Sequence, residues 1–285
     1  MSRRLPLVLL AGLLAASTVA CAGEDDDPFT TEAGVVHVHG LGIDPADGVL
    51  YAATHHGVFR IPEEGEAERI ADRYQDTMGF TVIGPHRFLA SGHPSLGDKH
   101  LQVEGKPPLL GLIESRDAAK TWRPLSLLGA ADFHGLVAAH GLVYGQDSTG
   151  GRFMVSGDRQ HWETRSQVQL TGFAVSPADR DTIVASTPAA LLHSGDGGRT
   201  WSPVPGGPKL LWLSWDATAL WGIAPDSMLW RSTDGMQWTE AGQAPGADPE
   251  ALLARDGELF VATDSGLHQS SDGGKGWRVR YRDPE

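Results

Sequence analysis

Seven side chains in this 285-residue sequence combine metal-ligating chemistry with matched positions in a repeating pattern. They are His37, His39, His56, His93, His134, Asp76 and Asp132. Aligning the repeats puts His39-Gly-Leu with Met78-Gly-Phe, His134-Gly-Leu, Thr171-Gly-Phe and Glu250-Ala-Leu, each at the start of a strand-like run. Two residues earlier stand His37, Asp76, Asp132, Gln169 and Asp248. Side chains two apart on a strand face the same way, so each pair is expected on one face. His56 aligns with His93 at the end of the following strand, with His55 beside it. Imidazole and carboxylate donors together suit zinc, copper, iron or nickel, and a thioether such as Met78 shifts the preference toward copper. The expected metal ligands are therefore the seven residues named first, with His55, Met78 and Glu250 as secondary candidates. A catalytic ion needs an open coordination position. The competing reading is a set of hydrogen-bonded histidines lining a wet channel.

Internal repeats must position these groups. Five segments begin with Ser-x-Asp and end in Trp: Ser115/Asp117/Trp122, Ser156/Asp158/Trp162, Ser194/Asp196/Trp201, Ser232/Asp234/Trp238 and Ser270/Asp272/Trp277. The tryptophans are separated by 40, 39, 37 and 39 residues. A period of that size with short strands fits a four-stranded propeller blade. Asp and Ser side chains cap backbone N–H groups in tight turns, and Gly supplies positive φ. The Trp is expected to start the next strand and to pack between blades. The third and fifth copies are fullest, the second and fourth are one residue short, and the first has Ala119 where Gly is expected. A repeat without the turn precedes them: Val49-Leu-Tyr-Ala-Ala-Thr54 resembles Thr182-Ile-Val-Ala-Ser-Thr187 and Glu258-Leu-Phe-Val-Ala-Thr263. This makes six repeats, starting near residues 35, 76, 132, 169, 209 and 248. The expected fold is all-β, a six-bladed β-propeller of four-stranded blades, or seven-bladed if one blade has gone unrecognised. In such a blade the start of strand one and the end of strand two lie at the same end. The seven side chains should then converge on one mouth of the central channel. A segment from about Pro94 to Leu110 is inserted in the second repeat and is expected over that mouth as a binding loop.

The five turns resemble the BNR/Asp-box repeats of sialidases, over about residues 36–280. The whole chain also resembles a group of exported bacterial propellers labelled as sialidase-like glycosyl hydrolases, through His37-Val-His-Gly-Leu-Gly42, Thr54-His-His-Gly57, Met78-Gly-Phe80, Ser91-Gly-His-Pro94 and Asp132-Phe-His-Gly-Leu136. That resemblance implies a propeller and admits a glycoside hydrolase, but Asp-boxes also occur in propellers without such activity, and fold alone does not give function. A sialidase would bring three arginines, a Tyr–Glu pair and an Asp acid. Phe59-Arg60-Ile61-Pro62 matches the sialidase Arg-Ile-Pro, yet Arg60 aligns with His193, in the outer part of a blade. Tyr51 and Tyr144 sit in strand-like runs and read as core.

The start of the chain reads as an export signal: Arg3-Arg4, an apolar run from Leu5 to Leu14, then small residues. Thr18-Val19-Ala20-Cys21 resembles a bacterial lipobox with Thr in place of the usual Leu. The expected organisation is a signal peptide over 1–20, a lipidated Cys21 with an acidic tether over 21–34, and a propeller over 35–282. Cys21 is the sole cysteine, so no internal disulfide framework exists. A net charge of −13 argues against nucleic acid as a partner, and no nucleotide-binding motif is present. The functional expectation is an exported, lipid-anchored cell-envelope protein that binds a transition metal or small ligand at the mouth. A sialidase-like hydrolase acting on glycan and a scaffold for other exported proteins are the alternatives.

Overall fold

The computed structural model describes residues 34–282. The expected signal peptide, Cys21 and nearly all of the tether lie outside the described residues. Twenty-four strands form six four-stranded antiparallel sheets. Blade 1 contains β1 (Val38–Ile43), β2 (Leu50–Thr54), β3 (Gly57–Ile61) and β4 (Glu68–Arg69). Blade 2 contains β5 (Asp76–Gly84), β6 (Arg87–His93), β7 (Leu112–Ser115) and β8 (Arg123–Ser126). Blade 3 contains β9 (Phe133–Ala139), β10 (Leu142–Asp147), β11 (Arg152–Ser156) and β12 (Glu163–Gln167). Blade 4 contains β13 (Gly172–Val175), β14 (Ile183–Ser186), β15 (Leu191–Ser194) and β16 (Ser202–Pro203). Blade 5 contains β17 (Trp212–Trp215), β18 (Leu220–Ile223), β19 (Met228–Ser232) and β20 (Thr239–Gln243). Blade 6 contains β21 (Ala251–Arg255), β22 (Glu258–Thr263), β23 (Gly266–Ser270) and β24 (Arg278–Tyr281). This is the six-bladed propeller that the repeats predict.

The second strands are wholly apolar or small and wholly buried in blades 1, 4 and 5, as in Leu50-Tyr-Ala-Ala-Thr54. They can be so because both of their faces meet neighbouring blades. The core is accordingly a ring of wedges between adjacent blades. Tyr51, Phe80 and Phe88 fill the wedge between blades 1 and 2, Tyr144, Phe153 and Phe173 that between blades 3 and 4, and Phe59, Phe260 and Leu267 that between blades 6 and 1.

The Ser-x-Asp turns pin the outer edges. Ser194 Oγ donates to Asp196 Oδ1 (2.8 Å) and accepts from Gly198 N (2.9 Å), while Asp196 Oδ1 accepts from Thr200 N (2.9 Å). The Ser-to-Asp hydrogen bond recurs at Ser115, Ser156, Ser232 and Ser270.

The tryptophans that close these turns correct the sequence expectation in one respect. None of them starts a strand: the outer strands begin one residue later, at Arg123, Glu163, Ser202, Thr239 and Arg278. All five pack between blades, as expected, each in or against an inter-blade cluster, although their hydrogen bonds differ. Trp162 Nε1 donates to Ser126 Oγ, Trp201 Nε1 to Ser166 Oγ and Trp277 Nε1 to the Gln243 carbonyl, so these three tie their blade to the preceding one. Trp238 instead donates to Gly235 within its own turn. Trp122 departs furthest from the set. It is a buried core residue, 4% exposed, within the wedge between blades 1 and 2 alongside Leu101, Leu110, Ala118 and Ala119. Its carbonyl accepts from His100 Nε2 (3.3 Å) in the inserted segment. Leu101 and Leu110 of that insertion pack in the same cluster as Trp122, which is sealed in while the other four keep partial exposure. Its role is packing in that wedge.

Candidate functional site

The inner strands begin at one end of the channel, and three of them do so with a bulge. Val38 pairs with Thr54 and Gly40 with Ala53, leaving His39 as an extra residue. Thr77 pairs with Gly92 and Gly79 with Ser91, leaving Met78 extra. Phe133 pairs with Asp147 and Gly135 with Gln146, leaving His134 extra. A bulge re-aims the side chain it carries, so one device, repeated in blades 1, 2 and 3, presents His39, Met78 and His134 at the mouth.

A closed triangle of donor atoms results in the first two blades. His39 Nε2 lies 3.3 Å from His55 Nδ1, His55 Nδ1 lies 2.8 Å from Asp76 Oδ1, and His39 Nε2 lies 3.8 Å from the same oxygen. The three residues form a group whose ligand atoms all fall within 4.8 Å of one another. Metal–ligand bonds of about 2.0–2.1 Å at tetrahedral angles require edges of about 3.3 Å, which is the mean scale of this triangle. His93 stands directly opposite Asp76 across the β5–β6 ladder. Its Nδ1 donates to Asp76 Oδ2 (3.0 Å), and its Nε2 is 3.6 Å from Asp132 Oδ2. Hydrogen bonds of this kind fix a ligating carboxylate's orientation.

The polar chain continues on both sides. Asp132 Oδ2 accepts from His134 Nε2 (2.8 Å) and Ser148 Oγ (3.0 Å). Its other oxygen, Oδ1, is buried with no hydrogen-bond partner. On the blade 6 side, His37 Nδ1 lies 3.8 Å from Glu250 Oε1, and the His37 and His55 rings meet edge to face at 5.2 Å. Burial, reinforced by the neighbouring His55, lowers the His39 pKa to about 4; that imidazole is neutral, as a metal ligand must be. Burial pushes the Asp76 carboxyl up, but hydrogen bonds from His93 and His55 outweigh it and hold Asp76 below the usual carboxylate range. The hydrogen bond to Asp76 raises His93 against the opposing effect of burial.

The sequence-predicted set thus separates. His39, Asp76, His93, Asp132 and His134 form one connected network, with His37 and Glu250 at its edge. His55 stands inside the triangle and His56 does not. The ladders give the reason. Thr54 faces Val38 in blade 1 and Gly92 faces Thr77 in blade 2, so the residue matching His93 is His55, one place earlier than the sequence alignment puts it. The His56 backbone N–H donates to Thr54 Oγ1, and burial followed by the nearby His55 charge lowers its pKa. Met78 occupies the blade 2 bulge, the position that His39 and His134 hold in blades 1 and 3. Ser148, which sequence reasoning missed, follows Asp147 as His55 follows Thr54 and His93 follows Gly92. It holds Asp132 from the same register position, but a serine there carries no metal-ligand signal. Beneath the mouth lies a channel cavity of about 370 Å³ lined by His39, Leu41, Phe80, His134, Phe173 and Trp212 among others.

The inserted segment is tied down rather than free. Leu101 and Leu110 are fully buried in the wedge between blades 1 and 2, and Asp98 accepts from Arg73 Nη1 (2.8 Å) and Ser95 Oγ (2.8 Å). Arg60 lies on the third strand and pairs with Asp47 at 3.6 Å. Tyr51 and Tyr144 are core residues, 2% and 0% exposed.

No protein-family model matches the chain, and no curated protein does either. Among solved structures, it is similar to a chain of the nidogen/laminin complex (12% identity, TM-score 0.61, covering 82% of this chain and 95% of that one). It is similar also to a gluconolactonase from Xanthomonas campestris (16% identity, TM-score 0.61, covering 81% and 84%). A third likeness is to the GH74 xyloglucanase of Xanthomonas campestris (18% identity, TM-score 0.54), where the match covers 86% of this chain but 45% of the enzyme. At such identities the likeness is one of fold, and it agrees with the strand order: the chain is a six-bladed β-propeller.

Proposed function

We propose that the chain is an exported, lipid-anchored binding protein of the Asp-box propeller type whose channel mouth holds a transition metal, copper or zinc. The observation that carries the reading is the triangle of His39 Nε2, His55 Nδ1 and Asp76 Oδ1. His39, His55 and Asp76 are the ligands, and a cation among them takes the place of the proton that His55 Nδ1 shares with Asp76. His93 orients Asp76 and links it to Asp132. The Asp-box assignment is supported by the repeated Ser-to-Asp bond in five turns. Export and anchoring are supported by the apolar run after Arg3-Arg4 and by the Thr18–Cys21 pattern. The cavity below the mouth offers room for a small ligand beside the ion.

The test is elemental analysis of the mature protein, produced without a metal-binding tag and equilibrated with copper or zinc. Near-stoichiometric metal in the parent, and a loss of most of it in a His39→Ala/His55→Ala variant that keeps the parent's circular dichroism, is the expected result. No bound metal in the parent sinks the reading.

A hydrolytic role at the same mouth is the second reading. It is favoured by two carboxylates, Asp76 and Asp132, bridged by one histidine at 3.0 and 3.6 Å. The gluconolactonase and xyloglucanase neighbours are hydrolases by name, which agrees with it without adding to it. Turnover in a lactone and glycoside panel that disappears in Asp132→Asn separates it from binding alone.

A further inference from the structure

The most crowded charge cluster lies at the opposite end of the blades from this mouth and plays no part in it. Glu114 stands near the end of β7, paired with Leu89 close to the start of β6, whereas Asp76 and His93 mark the other end of the same sheet. The Glu114 side chain is 1% exposed. Its Oε1 accepts from Arg87 Nη2 (2.9 Å) and Arg159 Nη1 (3.4 Å). Its Oε2 accepts from Arg116 Nε (2.8 Å), Arg123 Nε (3.1 Å) and Arg123 Nη2. Four guanidiniums therefore converge on one carboxylate whose lone pairs are already filled.

The arginines themselves are 42%, 60%, 50% and 35% exposed in chain order, so the edges not facing Glu114 reach solvent. The nearest acids in sequence are committed elsewhere. Asp117 accepts from Ser115 Oγ, Thr121 N and Thr121 Oγ1, and Asp158 accepts from Ser156 Oγ, Gln160 N, His161 N and His161 Nδ1. Glu114 can balance one of the four positive charges, and among the described residues it is the one carboxylate paired with this quartet, in a chain whose net charge is −13. Arg159 comes from the turn of blade 3 and the other three from blade 2, so blade packing pre-assembles the cluster.

Planar guanidinium forks with unused N–H groups are built for oxyanions. A second carboxylate would bring one negative charge, in one plane, against the three positive charges that Glu114 leaves unbalanced. A tetrahedral group, with oxygens in more directions, can engage three or four. We infer that Arg87, Arg116, Arg123 and Arg159, organised by the buried Glu114, form a binding site for a phosphate or sulfate group. The inference is independent of the metal reading, since no residue is shared.

The experiment measures isothermal titration and thermal unfolding of the mature protein with inorganic phosphate, inorganic sulfate, acetate and chloride at matched ionic strength. A sulfated oligosaccharide forms a further arm. Saturable binding of phosphate or sulfate, with a rise in Tm that chloride and acetate do not give, is expected. Arg116→Gln/Arg159→Gln should weaken binding at least about tenfold, a change of about 1.4 kcal/mol, while keeping the parent's fold. Glu114→Gln should unfold at a lower temperature and recover more of the loss in sulfate than in chloride; if it does not fold, the half-exposed arginine pair carries the test alone. Tighter binding of the oligosaccharide than of inorganic sulfate assigns the group to a polymer, and equal binding assigns it to the free anion. Identical responses to all four salts, or an unchanged isotherm in the double arginine variant, would overturn the site.

Discussion

His39 and Glu114 show how single residues in this molecule respond to their surroundings, and their shifts make different predictions. His39 has its pKa lowered from 6.5 to about 4 by burial and by His55. The unfolded chain takes up a proton at this residue as pH falls below 6.5, and the folded chain does not do so until about 4. Its effect is nil above 6.5 and destabilising as pH falls through that window. A His39→Gln variant should lose less Tm than the parent between pH 6.5 and 4, read by differential scanning calorimetry in the presence of chelator. Glu114 titrates lower. Burial raises it, but Arg123, Arg87 and Arg116 bring it from 4.5 to about 2. Its contribution is complete above 4.5 and is lost as pH falls toward 2. At about 1.4 kcal/mol per pH unit the ceiling is about 3 kcal/mol, reduced because the guanidiniums are partly screened by solvent. Glu114→Gln should be less stable at neutral pH and should flatten the acid limb below 4.5; an acid limb identical to the parent's would show that the arginines do not act on this carboxylate.

At the scale of the element, bulges and turns decide which residues meet. Gly92 precedes His93 with φ 128°, and a Cβ there would overlap the Asp76 carbonyl oxygen across the ladder. Gly92→Ala must therefore part Asp76 from His93. It should cost at least about 1–3 kcal/mol through overpacking and, if the mouth holds the proposed ion, reduce metal retention without touching a proposed ligand; unchanged retention in a parent that binds metal would mean that the β5–β6 register does not position Asp76. The first Ser-x-Asp turn makes the converse case. Ala118 and Ala119 hold φ of 57° and 68°, where the third turn has Gly197 and Gly198. A left-handed non-glycine residue costs about 1–2 kcal/mol, so Ala119→Gly should raise Tm, less the entropy that glycine adds to the unfolded chain. The blades and turns were legible because Ser, Asp, Gly and Trp act locally and recur at one period. What the period could not show is that Trp122 is sealed into the core, because the segment that packs with it is an insertion found in one blade. The site was legible in part. Two-residue alternation predicts that His37 and His39 share a face, but His37 has φ 52° and His39 is a bulge, so the alternation does not apply there. Nor could spacing choose between His55 and His56, adjacent residues of one turn whose difference lies in the ladder register and in which of them reaches Asp76 from another blade.

For the whole molecule, the question that repeats alone leave open is how the ring closes. Among the described residues each blade keeps its own four strands in chain order, so no strand is exchanged to lock first to last. Closure rests instead on contacts between residues more than 200 apart, which no local pattern announces. Val35 N donates to the Tyr281 hydroxyl (3.1 Å), Val38 N to Glu250 Oε2 (2.8 Å) and Arg280 Nη2 to the Ile61 carbonyl (3.1 Å), over an apolar wedge that includes Phe59, Phe260 and Leu267. Glu250 has a double position, since its other oxygen faces His37 at the edge of the mouth. Removing a side-chain acceptor from a partly buried N–H costs about 1–3 kcal/mol, and local openings report where in a fold that cost falls. Glu250→Ala should therefore speed hydrogen exchange at Val38 and along β1 and β21, while blades 3 and 4 keep the parent's protection. A uniform loss of protection around the ring would mean that the six wedges open as one unit. In that case the blade 6 to blade 1 seam would be no weaker than the other five.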